Sequence, residues 1–111
     1  MFKFVTIYRV VDDPQAVEKL FSETHLPAAE KLPGLRKSEV SRITGQPGGR
    51  SRFVLMYELY FNSKLDFERA FYTEAGKIII EALRPWAEAG LLTWFFAESF
   101  EEAPPAKTDP A

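Results

Sequence analysis

Phe53-Val54-Leu55-Met56-Tyr57-Glu58-Leu59-Tyr60-Phe61 is the strongest strand of the chain, and only Glu58 interrupts its aromatic and aliphatic run. Upstream, Gly45-Gln46-Pro47-Gly48-Gly49 ties it to a more polar strand at Arg36–Thr44 (RKSEVSRIT), whose polarity suits a sheet edge or a half-wet face. The glycine-rich turn lacks the Lys-Ser/Thr ending of a phosphate loop, so it reads as a hairpin loop. Downstream, Ser63 followed by Asp66 resembles a capping box and opens a helix through Phe67, Ala70 and Phe71. Thr73 caps a further helix carrying Ile78, Ile79, Leu83 and Trp86, with Pro85 near its end and Gly90 as terminator. Leu91–Phe100 (LLTWFFAESF) closes the sequence of strands.

Working outward toward the N-terminus, Thr24-His25-Leu26-Pro27 carries the single histidine. A residue preceding proline is pushed out of the α region, so the helix from Asp13-Pro14 through Val17, Leu20, Phe21 and Thr24 is expected to break or kink beside His25. A short piece restarts at Pro27, and Pro33-Gly34 ends it. Phe2–Val10 (FKFVTIYRV) reads as a strand with bulk on both rows, Phe2, Phe4, Thr6 and Tyr8 on one and Val5 and Ile7 on the other. The order is β-α-β-β-α-β, which predicts an α+β, ferredoxin-like domain with a four-stranded antiparallel sheet and the helices on one side. The other side then presents Phe, Tyr, Met and Trp too apolar to leave wet. A second copy of the same sheet covers it most simply, giving a homodimer that forms a dimeric α+β barrel. Residues 1–100 form that domain, and 101–111, rich in Pro, Ala and charge, are expected to be a poorly ordered tail.

Composition narrows the function. The chain has 111 residues, a net charge of −2 and a mixed distribution of acids and bases, so nothing marks a nucleic-acid surface. No apolar run approaches the ~18 residues of a membrane span, and Met1-Phe2-Lys3-Phe4 enters a strand directly rather than a signal peptide. Cysteine is absent, which excludes disulfides, thiolate metal sites and a cysteine nucleophile, and fits a cytoplasmic location. One histidine and no cysteine make a poor zinc set. Ten Phe, four Tyr and two Trp exceed what so small an interior needs, so part of this surface belongs to an interface or a ligand pocket.

HLPAAEKLPGLRKSEVSRITG, YELYFNSKLDFERAF and the closing FFAESF resemble the EthD family of dimeric α+β barrel proteins, over residues 2–99. The Glu-Leu-Tyr-Phe-Asn-Ser phrase is shared more loosely with small antibiotic-biosynthesis-type monooxygenases. The resemblance implies the fold and dimerisation. EthD itself belongs to an ether-degradation system. Relatives cyclise polyketides, oxidise phenols without a cofactor, or isomerise methylmuconolactone. The isomerases use a His, a Tyr and a Cys; His25 matches the first, while Ser38 and Leu59 stand where the other two are expected. No dinucleotide fingerprint accompanies the family's reductase label.

Four further readings concern single residues. His25 is either a general acid or base, with an ordinary pKa of about 6.5, or a ring capping a helix end. Glu58 is either a second acid or base, its pKa raised by burial, or half of a salt bridge to Arg9, Arg42 or a residue of the partner chain. Tyr8, Tyr60 and Trp94 line a pocket for a flat aromatic ligand or belong to core and interface. Lys37, Arg50 and Arg52 read as surface. Together these predict a cofactor-independent oxidoreductase, cyclase or isomerase acting on a small aromatic or apolar compound by His25-assisted proton transfer. The alternative is a non-catalytic ligand-binding or accessory protein with the same cavity. No metal, haem or flavin signature is present among the motifs.

Overall fold

A computed structural model describes residues 1–103. Its elements are β1 (Phe2–Arg9), α1 (Pro14–Leu20), a π-helical turn (Phe21–His25), α2 (Leu26–Ala29), β2 (Lys37–Arg42), β3 (Phe53–Phe61), α3 (Lys64–Phe71), α4 (Glu74–Glu88) and β4 (Leu92–Glu98). The strands pair antiparallel in the order β2-β3-β1-β4, an open sheet with β2 and β4 at its edges. This is the ferredoxin-like α+β arrangement. β2 is exposed along almost its whole length, in keeping with its polar sequence. The expected tail begins without regular structure at Glu101, and its remainder, 104–111, lies outside the described residues.

Local chemistry starts the helices where the sequence signals them. The Asp13 carboxylate accepts from the Gln15 N–H at 3.0 Å, Ser63 Oγ from the Asp66 N–H at 3.1 Å, and Thr73 Oγ1 from the Gly76 N–H at 3.4 Å. The hairpin loop closes through reciprocal backbone bonds between Gln46 and Gly49, with Gly48 at φ 89°.

The break expected beside His25 does not occur. Leu26, the residue before Pro27, stays helical at φ −62° and ψ −51°, and its N–H bonds to the carbonyl of Phe21, five residues back. Proline ordinarily breaks a helix because it lacks an N–H and its ring strikes the carbonyl four residues earlier. A wide π turn placed just ahead shifts that carbonyl ladder, and the chain continues in helical conformation into α2.

Side chains alternate across a strand, and residues opposite one another on paired strands share a face. Phe2, Phe4, Thr6 and Tyr8 therefore face the helices, together with Leu55, Tyr57, Leu59 and Phe61 of β3 and with Leu92, Trp94 and Phe96 of β4. Phe4 packs on Phe67 and Phe71, and Tyr8 on Phe21 and Trp86, which fixes that face as the covered one. Lys3, Val5, Ile7, Met56, Glu58, Tyr60 and Phe95 lie on the other side, against which no helix packs. Trp94 is thus absent from the bare face. That face carries an ion pair at its centre instead.

α4 begins after a link of only Tyr72 and Thr73, so its first turn lies on the last turn of α3. Gly76 is buried there, against the Phe71 backbone.

Candidate functional site

Val17, Phe21, His25 and Ala29 recur every fourth residue, and all four are buried. In a plain α-helix such a row drifts by about 40° per step, because four residues turn through more than a full circle. The π turn takes up the excess and keeps His25 aimed at the sheet. The His25 ring is completely enclosed. Its Nδ1 lies 2.6 Å from the Tyr8 hydroxyl, and the ring stands perpendicular to that of Tyr57 at a centroid distance of 4.9 Å. It makes no helix-capping hydrogen bond, so the capping alternative fails: the side chain is committed to the sheet.

Burial dominates the electrostatics. It pushes His25 from 6.5 down to about 3, because an imidazolium here loses its hydration without gaining a counter-charge. The ring is therefore neutral at pH 7, rather than poised near it. Burial also pushes the Tyr8 phenol far up, with Tyr57 adding to the effect. Tyr57 is raised for the same first reason; the nearby Ser38 hydroxyl opposes the shift and the charge of Glu30 adds to it. The Tyr57 hydroxyl nonetheless lacks a hydrogen-bond partner of good geometry.

His25 Nε2, Tyr57 OH and Thr6 Oγ1 are all buried without a hydrogen-bond partner. Buried polar atoms are almost always satisfied, and each orphan costs about 1–3 kcal/mol. These three belong to one neighbourhood: Thr6 faces Tyr57 across β1 and β3, and Tyr57 touches His25. With the Tyr8 hydroxyl donating to Nδ1, Nε2 carries the ring proton and is a donor; in the other tautomer it is a base. Either form can pair with an oxygen-bearing guest.

Thr6 also faces Trp94 on its other flank. Trp94 lines a cavity of about 430 Å³ between α4 and β4, with Phe4, Ile80, Arg84, Phe95 and Phe96. Thr6 therefore stands between this apolar cavity and the His25 cluster. Tyr8 and Trp94 are on the His25 side of the sheet; Glu58 and Tyr60 are not. A sheet separates Glu58 from His25, so Glu58 is no partner for it. The Glu58 carboxylate accepts from Lys3 Nζ at 2.7 Å and from the Tyr60 hydroxyl at 3.2 Å, while Lys37 lies over the Tyr60 ring. That hydrogen bond raises the Lys3 pKa. The partner is thus Lys3, and neither of the arginines expected. Arg9 sits far along β1, opposite Phe53, and Arg42 faces the helices, where it pairs with Glu18.

Thr6 and Tyr57 escaped the sequence reading. Thr6 shares the row of Tyr8, which was a usable signal; Tyr57 sits beside Glu58, and only the strand register tells which of the two meets the histidine. The described residues contain no cluster of three or more His, Cys, Asp or Glu able to hold a metal, and no helix long and apolar enough to cross a membrane.

No family model matches the chain. A curated relative, the uncharacterized 11.0 kDa protein of the thcB-thcC intergenic region of Rhodococcus erythropolis, is 22% identical over 88% of this chain and 95% of its own length. The cofactor-independent oxygenase SnoaB of Streptomyces nogalater shares the fold, with a TM-score of 0.62, at 18% identity over 93% of this chain and 96% of its own. The crystal structure of an ethyl tert-butyl ether D (EthD) family protein of Bacillus halodurans superposes with a TM-score of 0.81 over 90% of this chain and 99% of the other. Since the two are 35% identical across that span, as the His25 and Tyr57 segments led one to expect, the chain belongs to the EthD family.

Proposed function

We propose that this protein is a cofactor-independent enzyme that moves a proton on a small aromatic or apolar compound, with His25 as the proton-transfer residue. One observation carries the reading: an enclosed neutral imidazole, tethered at Nδ1 to Tyr8, whose Nε2 is buried without a partner, as are the hydroxyls of Thr6 and Tyr57. The apolar body of the ligand lies in the cavity beside Trp94, and its polar end reaches past Thr6 to Tyr57 and His25. Thr6 and Tyr57 supply hydrogen bonds that orient that end, while the Tyr8 oxygen accepts from Nδ1–H and so leaves Nε2 free to take the proton.

A lone imidazolium is unfavourable here, so the ring accepts a proton only when an anion forms next to it. A phenolate or enolate left behind by deprotonation supplies that counter-charge, and the ion pair offsets the desolvation. Proton transfer is in this way coupled to the presence of the right guest. The SnoaB likeness, one of fold alone, shows that the scaffold can house a cofactor-independent oxygenase. In this chain Tyr57 offers a phenol beside His25, although Ser38 occupies the position where the isomerases are expected to carry their tyrosine. His25 lines neither the cavity beside Trp94 nor the one beside Pro27, which favours the second reading, a binding or accessory protein that holds its guest without turnover.

Nitrogen shifts of His25 at pH 7, recorded against a panel of phenols, quinones and lactones, separate these readings. The enzyme reading expects one class to drive the ring toward imidazolium, and turnover of that class to fall by about 10²–10⁴ in His25→Gln. A ring indifferent to every compound removes His25 from the function. A ring that responds while no compound is turned over leaves the binding protein.

The cysteine-free sequence fits a cytoplasmic location, and the bare face of the sheet supports a homodimer. Phe95 is 42% exposed there and adjoins Val5, Ile7 and Met56. An apolar sheet face of this kind marks an interface. Light scattering at micromolar concentration is expected to give twice the chain mass, and Met56→Glu to give a monomer. A monomeric wild type would contradict the dimer.

A further inference from the structure

The groove between α4 and β4 contains one charge. Phe4, Ile80, Trp94 and Phe96 give it aromatic and aliphatic walls, Phe95 borders it from the edge strand, and Arg84 stands at its rim. Ile80 and Arg84 are four residues apart on α4, so the guanidinium projects beside the side chain that forms the helical wall. The ion pairs among the described residues are Lys3–Glu58 and Arg42–Glu18; Arg84 takes part in neither. Glu81, its nearest acidic neighbour in sequence, borders an adjoining groove that Lys77, Ile80 and Arg84 itself also line, and it forms no salt bridge with Arg84. A planar, weakly hydrated guanidinium at the mouth of an aromatic groove matches a carboxylate joined to a flat ring. The volume of about 430 Å³ accommodates one or two fused rings. A phosphate ester fits less well, since no second cation lines the groove.

We infer that this groove binds an aromatic carboxylate, its rings between Trp94, Phe4 and Phe96 and its carboxylate on Arg84. The inference deepens the function proposed above, on which it rests for the identity of the substrate. It assigns that substrate an acid group at the end remote from Thr6. Recognition depends on Arg84 and the aromatic walls, and proton transfer on His25, so the two can be tested apart.

The test is binding of 2-naphthoate and of its neutral isostere 2-naphthamide to the full chain, followed by calorimetry and by the Trp94 indole N–H signal. Wild type should prefer the acid by about tenfold, as a charge-assisted hydrogen bond allows. Arg84→Gln should bring the two affinities together by weakening the acid alone, and Arg84→Lys should restore part of the preference. Arg84 is exposed, so these variants keep the fold, which circular dichroism verifies. Equal affinity of wild type for acid and amide, a preference that survives Arg84→Gln, or no binding of either compound at millimolar concentration would each overturn the inference. Retained acid binding with no turnover of any aromatic acid defeats the proton-transfer reading and leaves the carboxylate site standing.

Discussion

Acidification should destabilise this protein well before its carboxylates titrate, and His25 is the reason. The ring has a pKa of 6.5 when unfolded and about 3 when folded, so between those values the unfolded chain binds a proton that the folded chain refuses. Stability therefore rises with pH across this window; its His25 contribution is complete above 6.5 and is lost progressively as pH falls toward 3. From pH 7 to pH 5 the loss is about 2 kcal/mol, and over the whole window on the order of 4–5 kcal/mol. Urea denaturation of wild type and His25→Gln at pH 7, 6 and 5 isolates the effect. The variant lacks the ring, so its stability should be flatter over this range by about 2 kcal/mol. Parallel pH profiles would show that the ring is hydrated or already paired in the folded state.

Gly76→Ala should be among the most damaging single substitutions in the chain. A Cβ at this position would collide with the Phe71 Cα and come within 2.7 Å of the Phe71 carbonyl carbon and oxygen. These are backbone atoms, so no rotamer change relieves the contact, and α3 and α4 must separate. In an open helix the same change would gain about 1 kcal/mol of helix propensity. Here overpacking outweighs it, and a net loss of about 3 kcal/mol is expected. The movement would also be felt at the groove, because Ile80 and Arg84 ride on α4 while Phe71 packs on Phe4 at a centroid distance of 5.5 Å. A urea midpoint at or above that of wild type would contradict this account of the junction.

Much of the architecture was legible because local and global signals agree. Phe53–Phe61 forms the strand that its composition announces, and Asp13, Ser63 and Thr73 cap the helices they precede. The helix through His25 was misread because Pro27 reports only on local sterics. Whether a π turn can absorb it depends on Phe21, His25 and Ala29 finding the same sheet, which is a tertiary matter. The site was half legible for a related reason. With bulk on both rows of β1, nothing local tells which row meets the helices. Tyr8 and Trp94 were thus grouped with Tyr60, and His25 with Glu58, across a sheet that separates them. The wiring of Lys3 to Glu58 needs the pairing of β1 with β3, information that no single segment holds.

The alternation along β3 has an evolutionary consequence. Leu55, Tyr57, Leu59 and Phe61 answer to the helices and the histidine, while Met56, Glu58 and Tyr60 answer to whatever meets the bare face. Neighbouring codons are therefore under unrelated selection. A lineage can vary the helix-facing set and the bare-face set separately, without either change disturbing the one already made.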